Sequence, residues 1–311
     1  MKGLNIAYLL VICLPLFVAA YFLYGRYIGR ILGVDAGRKT PARALEDGKD
    51  FVPANPLVLF SHHFASIAGG GPVIGPAVAL IFGYGPAWLW IIIGAIFIGA
   101  VHDFTSLFVS IREGGRSIAE VAERYLGRRG FVLFIAFAVV YILLVTSAFL
   151  QLTATALTSL VPMESLELKG TETLLKTTIL EGRSYIRIGG IASTSVIIIT
   201  CFAPVLGWML YRRKLRASLA AVLAIAVAVV SIRIGLAIPL SINPDWWMVI
   251  LSVYVFIASG IPVWIILQPR DFTNSFILFG GIIGLVVGTI AGGLSGMTLN
   301  APGFDVAAGE A

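Results

Sequence analysis

Eight runs of mostly apolar residues follow one another in this chain, near 4–24, 61–82, 86–111, 130–160, 188–211, 217–240, 247–268 and 275–297. Each approaches or exceeds the roughly 20 residues an α-helix needs to cross a hydrocarbon layer. Nothing constrains the fold more: backbone N–H and C=O groups find no water inside a bilayer, so a chain patterned this way crosses it as helices. With 59% hydrophobic residues, 12% charged residues and a mean hydropathy of +0.96, it lies far from soluble domains. The expected fold class is an all-α polytopic membrane protein of about eight transmembrane helices, one membrane domain over 1–311. The first run reads as a retained helix, not a signal peptide, because it continues into Tyr21 and Tyr24 instead of a small-residue cleavage site.

Charge fixes the expected orientation. Arg26, Arg30, Arg38, Lys39, Arg43 and Lys49 fall in one connection, and Arg112, Arg116, Arg124, Arg128 and Arg129 in another. Arg212, Arg213, Lys214 and Arg216 occupy a third, and Arg270 a fourth. If the spans simply alternate, these connections share one side, which the positive-inside rule makes the cytoplasm. The N-terminus and the 298–311 tail are then outside, in a multi-pass inner-membrane or plasma-membrane protein. The net charge of +6 is thereby topological, and no nucleic-acid partner is expected. In the long external connection, 165–178 suggests a short surface helix. On the cytoplasmic side, Ser117 with Glu120 forms a capping-box pattern that opens a short amphipathic helix over 117–127.

Two spans are built to break. FASIAGGGPVIGPAVALIFG carries Gly69, Gly70 and Gly71, then Pro72 and Pro76; such backbone survives at membrane depth only where it lines a cavity or is buried in protein. The glycines miss the dinucleotide-loop spacing, so a Rossmann reading fails. FIASGIPVW, with Ser259 and Gly260 before Pro262, repeats the theme five spans later in the opposite direction. That is the pattern of an inverted-repeat transporter, in which broken helices offer half-helix ends to substrate and ions. On this reading 4–24 is an extra helix, 61–240 a first five-helix repeat and 247–297 the start of a second, incomplete one. Ser66, Gly69, Gly70, Gly71, Pro72, Ser259 and Gly260 are the expected substrate-binding positions.

Asp103 is the carboxylate that falls inside a predicted span, with His102 before it. An intramembrane ionisable residue is a functional candidate, and two readings stand: proton or ion coupling, or a structural carboxylate paired with His102. His62 and His63 open the first broken helix and join them as expected ion-coupling residues. The histidines lack a metal-ligand spacing, and Cys13 and Cys201 lie in apolar runs, so neither a metal nor a disulfide is expected. No nucleophile constellation or P-loop appears, so no enzyme, catalytic residue or cofactor is expected. Gly280, Gly284, Gly288, Gly292 and Gly296 form a stripe suited to a close helix partner.

The blocks PANPLVLFSHHFASIAGGGPVIGPAVALIFGY, GAIFIGAVHDFTSLFVSIREGGRSIAEV and IPVWIILQPRDF resemble the carbon starvation protein A family, membrane proteins associated with peptide and pyruvate uptake. The resemblance implies the five-plus-five inverted fold of the amino acid, polyamine and organocation superfamily. It also implies secondary active transport of a peptide or small carboxylate during carbon starvation, driven by a proton or sodium gradient. Members of that family continue well past a segment like MTLNAPGF. The chain is therefore expected to be the N-terminal part of such a transporter, from a split or truncated gene, or to pair with a second chain that supplies further helices and docks on the glycine stripe. The alternative is a non-transporting membrane subunit or truncated remnant.

Overall fold

The computed structural model describes residues 4–166 and 175–305, which are overwhelmingly helical. The principal helices are α1 (Ile6–Leu32), α2 (Pro56–Ile67), α3 (Gly70–Phe82), α4 (Tyr84–Arg112), α5 (Ile118–Leu157), α6 (Ile188–Arg212), α7 (Ala217–Ala237), α8 (Pro244–Ser259) and α9 (Leu267–Leu294). Six are long and apolar enough to cross a membrane, and the interrupted pair α2–α3 makes a seventh span if counted as one. The apolar α8 is shorter, at 16 residues. Leu133, Leu144, Val222, Phe256 and Leu285 are all exposed, a surface suited to hydrocarbon. The chain is an all-α polytopic membrane protein.

Both expected interruptions occur. Between α2 and α3 the helix opens at Ala68 and Gly69, with Ala68 turning to ψ 35°. Pro72 then falls in the first turn of α3, where its missing N–H costs nothing. The second break differs from expectation, because it separates two helices instead of bending one. Pro262 disfavours helix at the residue before it, so α8 ends at Ser259 and the chain turns over 260–266. The next helix begins at Leu267, well before the expected 275, with Pro269 in its first turn. Arg270 and Asp271 thus lie inside α9 and not in a connection.

The connection between α5 and α6 carries a small sheet. The helix expected over 165–178 falls largely on 167–174, outside the described residues; around it, strands β1 (Val161–Pro162), β2 (Thr177–Leu180) and β3 (Arg183–Ile186) form a small antiparallel sheet in the order β1-β3-β2. Glu181 and Gly182, at φ 51° and 78°, make the tight turn between β2 and β3. The capping box forms as read: Ser117 N–H donates to Glu120 Oε2 at 2.8 Å, and Glu120 N–H to Ser117 Oγ at 3.3 Å. The short helix it opens ends at Gly127, whose φ of 72° redirects the chain into the rest of α5.

The chain divides into two compact units, Met1–Pro53 with Gly71–Phe137 and Gly280–Ala311, and Ala54–Gly70 with Ala138–Phe279. In the first unit Asn5 caps α1, accepting from Ala7 N–H at 2.9 Å, and donates to the Gly293 carbonyl at 2.8 Å. A Cβ on Gly293 would lie 2.4 Å from Ala7 Cβ, and one on Gly292 2.9 Å from Ile6. The chain's own first helix therefore covers this end of the glycine stripe, whereas a Cβ at Gly280, Gly284 or Gly288 would meet open space among the described residues. In the second unit, Val58 of α2, Leu206 of α6, Ala220 and Ala224 of α7 and Phe272 of α9 form one core. Buried hydroxyls lock the helices around it. Ser193 donates to the Leu157 carbonyl, Thr194 to the Ile238 carbonyl, and Ser195 pairs with Ser231, each at 2.7 Å.

Candidate functional site

The second unit holds a network of charged side chains where α2 meets α9. Asn55 starts α2 by accepting from Leu57 N–H at 2.9 Å, ahead of Pro56 at the first helical position. One face of α2 then buries Val58 and Ser61, with His62 beside them. On α9, Asp271, Phe272, Thr273 and Ser275 are all buried. Phe272 packs in the core with Val58, while Phe279 stacks on Phe64 with ring centroids 4.4 Å apart. Helical period and these apolar contacts together fix the polar residues between them.

His62 Nδ1 donates to Asp271 Oδ2 at 2.8 Å. The other carboxylate oxygen, Oδ1, accepts from Arg270 Nη2 at 2.9 Å and Nε at 3.1 Å. Arg270 Nη1 donates to the Tyr254 hydroxyl of α8 at 2.7 Å, with the guanidinium 5.7 Å from the Tyr254 ring centroid. Asp271 is 10% exposed, His62 24% and Arg270 26%, so accessibility rises from the carboxylate outward. Nearby, the Tyr211 hydroxyl donates to Gln268 Oε1 and its ring meets Trp264 edge-on. Gly207 allows this arrangement: a Cβ there would sit 2.7 Å from the Ile265 carbonyl oxygen and 3.0 Å from Pro269. Charges removed from water persist only when paired and hydrogen-bonded, and here three helices supply the partners.

The residues singled out in the sequence fall in different places. His62 is in this network, and His63 follows it on α2, half-buried. Ser66 Oγ donates back to the His62 carbonyl at 2.8 Å, tying it to its own helix. Gly69, Gly70, Gly71 and Pro72 form the break and the first turn of α3. Ser259 Oγ donates to the Phe256 carbonyl at 2.8 Å, and Gly260 closes α8. His102 and Asp103 lie in α4, in the first unit, 3.1 Å apart and 76% and 38% exposed. The same unit has a cleft of about 530 Å³ between the π-helical turns of α1 and α4, lined by Phe17, Tyr21, Tyr24, Arg26 and Phe104. Sequence reasoning missed Arg270 and Asp271, because a span ending at 268 turns the Pro-Arg-Asp run into a loop, and Tyr254, a single hydroxyl within an expected span with no pattern to mark it. The signal was available: a proline two residues before an acidic residue, followed by a long apolar run, is also how a helix starts.

The family model described as "Carbon starvation protein CstA" matches residues 5–307. This chain belongs to that family. It is 34% identical over 294 residues to a protein of Bacillus subtilis named "Peptide transporter CstA", covering 92% of this chain and 44% of that protein. The Escherichia coli "Peptide transporter CstA" is 32% identical over 310 residues, 93% of this chain and 38% of its own length. The Escherichia coli "Pyruvate/proton symporter BtsT" is 30% identical over 302 residues, again 93% and 38%. The chain thus spans less than half the length of these CstA-family relatives. No solved structure matches it.

Proposed function

We propose that this chain works as, or within, a secondary active transporter that takes up peptides or small carboxylates such as pyruvate, coupled to a proton. The observation that carries the reading is the buried His62–Asp271–Arg270 network in a chain of apolar helices. Charged groups in membrane segments mark substrate and ion pathways, and an imidazole is the side chain that exchanges protons around neutrality. The relatives' names agree, one a pyruvate/proton symporter and the others peptide transporters. On this reading Gly69–Pro72, Ser66 and the Ser259–Gly260 end of α8 supply bare backbone and hydroxyls to the substrate. His62 and His63 lie on the proton path, with His102–Asp103 as a second candidate relay. The charge alternation supports an inner-membrane orientation with both termini outside.

The test is uptake of labelled pyruvate and of dialanine, under an imposed proton gradient, into proteoliposomes that hold this chain with and without a second chain supplying further helices. Gradient-driven accumulation of at least one is expected. His62→Gln abolishes it with the protein still inserted, and Asp103→Asn leaves more than half of it. Equal loss in both variants would bring the exposed pair into the coupling path, and no accumulation of either solute would sink the transporter reading.

A further inference from the structure

We propose that Arg270 is the residue that binds the substrate carboxylate, and that His62 releases it for that task by taking up a proton. The inference rests on the transporter reading above and assigns its substrate group and its coupling step.

Asp271 has two countercharges within reach, one on each oxygen: Arg270 on Oδ1 and His62 on Oδ2. With His62 neutral, Nδ1–H still donates to Asp271, and the carboxylate and guanidinium neutralise each other. The site has no use for an anion in that state. An incoming proton goes to His62 Nε2, since Nδ1 already carries one. The imidazolium then satisfies Asp271, and the site holds two positive charges against one negative. An unbalanced charge in a poorly hydrated place is costly, and a second carboxylate removes the imbalance.

Arg270 is the group placed to accept it. It is about as exposed as His62, at 26% against 24%, and Asp271 is the least exposed of the three. Its planar fork matches a carboxylate with two parallel N–H donors, and the Tyr254 hydroxyl keeps hold of Nη1 while Nε and Nη2 change partner. Proton and carboxylate enter together, net charge returns to zero, and loss of the proton gives Asp271 back to Arg270 and expels the anion. The groups facing this exchange are His62, with His63 beside it, from α2, Tyr254 from α8 and Gln268 from α9 itself. Tyr211 and Arg212 come from the end of α6, Arg212 with its guanidinium 5.8 Å from the Trp264 ring centroid. The α7 contribution is apolar, Ala220 and Ala224 against Phe272.

Binding of labelled pyruvate and of dialanine to the purified chain in nanodiscs tests this, measured between about pH 8 and about pH 6. For the native protein, affinity for at least one ligand should rise by up to about tenfold per pH unit of acidification while one proton is taken up. Pyruvamide or dialanine amide, lacking the carboxylate, should not compete. Asp271→Asn should bind at about pH 8 as the native protein does at about pH 6, with a flat profile. His62→Gln should bind weakly and equally flatly, and Arg270→Gln should lose binding. An Asp271→Asn profile that titrates like the native one, or binding retained by Arg270→Gln, would overturn the assignment while leaving transport intact. If Asp271→Asn is not monodisperse, a native pH slope in His62→Gln overturns it equally. Failure of the native chain to bind either ligand at any pH removes the transporter reading itself.

Discussion

His62–Asp271 and His102–Asp103 join the same two residue types at similar distances, 2.8 and 3.1 Å, yet they are different objects. The second pair consists of neighbours on one helix, open to the surface, and among the described residues it joins no second element. The first joins residues 209 apart in the chain and is closed in by α2, α8 and α9. Proximity in sequence made the exposed pair conspicuous, whereas the fold's own requirement to satisfy buried charge created the other. Burial and long-range contact, not residue type, separate a group the structure depends on from one it merely carries.

The sharpest test of that difference is to remove each carboxylate. Asp271→Ala strands the Arg270 guanidinium in its pocket, and breaking a buried pair from one side costs about 3–5 kcal/mol. Asp103→Ala, whose partner is the adjacent residue, should change stability by less than about 1 kcal/mol. Thermal unfolding of both variants in nanodiscs measures the gap. Equal effects would mean that the two pairs are equivalent after all.

The contrast also shows what the sequence could and could not reveal. Apolar run length located the helices, and Gly69–Pro72 and Ser259–Pro262 located both interruptions, because backbone chemistry acts locally. The network was half legible: His62 stood out as an ionisable residue at the start of a broken helix, but its partner was assigned to a loop. Moving the start of α9 from 275 to Leu267 turns Asp271 from a solvated residue into a buried one. That boundary depends on Pro262 and Pro269 together and on the close approach at Gly207, which is tertiary information. The sheet at 161–186 was missed for a similar reason, since its pairing residues lie up to 25 positions apart, Val161 against Ile186.

Gly207 offers the next test, because it supports the network without touching it. In Gly207→Ala the new Cβ meets the Ile265 carbonyl oxygen at 2.7 Å, so the turn before α9 must shift. Such overpacking costs about 1–3 kcal/mol. If the shift is passed on to Asp271, the double variant Gly207→Ala/Asp271→Asn departs from additivity, which distant, independent sites do not. Gly288→Ala, whose Cβ enters open space, serves as the neutral control. Strict additivity at Gly207 would mean that the network is held by α2 and α8 alone.

A third charged cluster lies between these extremes and should give the smallest effect. In the turn after α4, Glu113 accepts from the Tyr125 hydroxyl at 2.8 Å and from Arg124, both on the short helix that opens α5. The Tyr125 hydrogen bond, followed by the attraction of Arg124, holds the Glu113 carboxyl below its ordinary value of 4.5. A group with a depressed folded-state pKa stabilises above its unfolded value, and that contribution fades as pH falls through the folded one. The native protein should therefore lose thermal stability on acidification below the ordinary glutamate range by slightly more than Glu113→Gln does. Like the buried network, this cluster crosses between elements, with the Glu113 side chain 11% exposed; unlike it, the partner Arg124 is 57% exposed, so screening weakens the pair. Raising the salt concentration should erase the Glu113 difference while leaving the Asp271→Ala penalty in place. If both persist, contact between elements matters more than burial; if both vanish, the His62–Asp271–Arg270 network is far wetter than its side-chain exposures indicate.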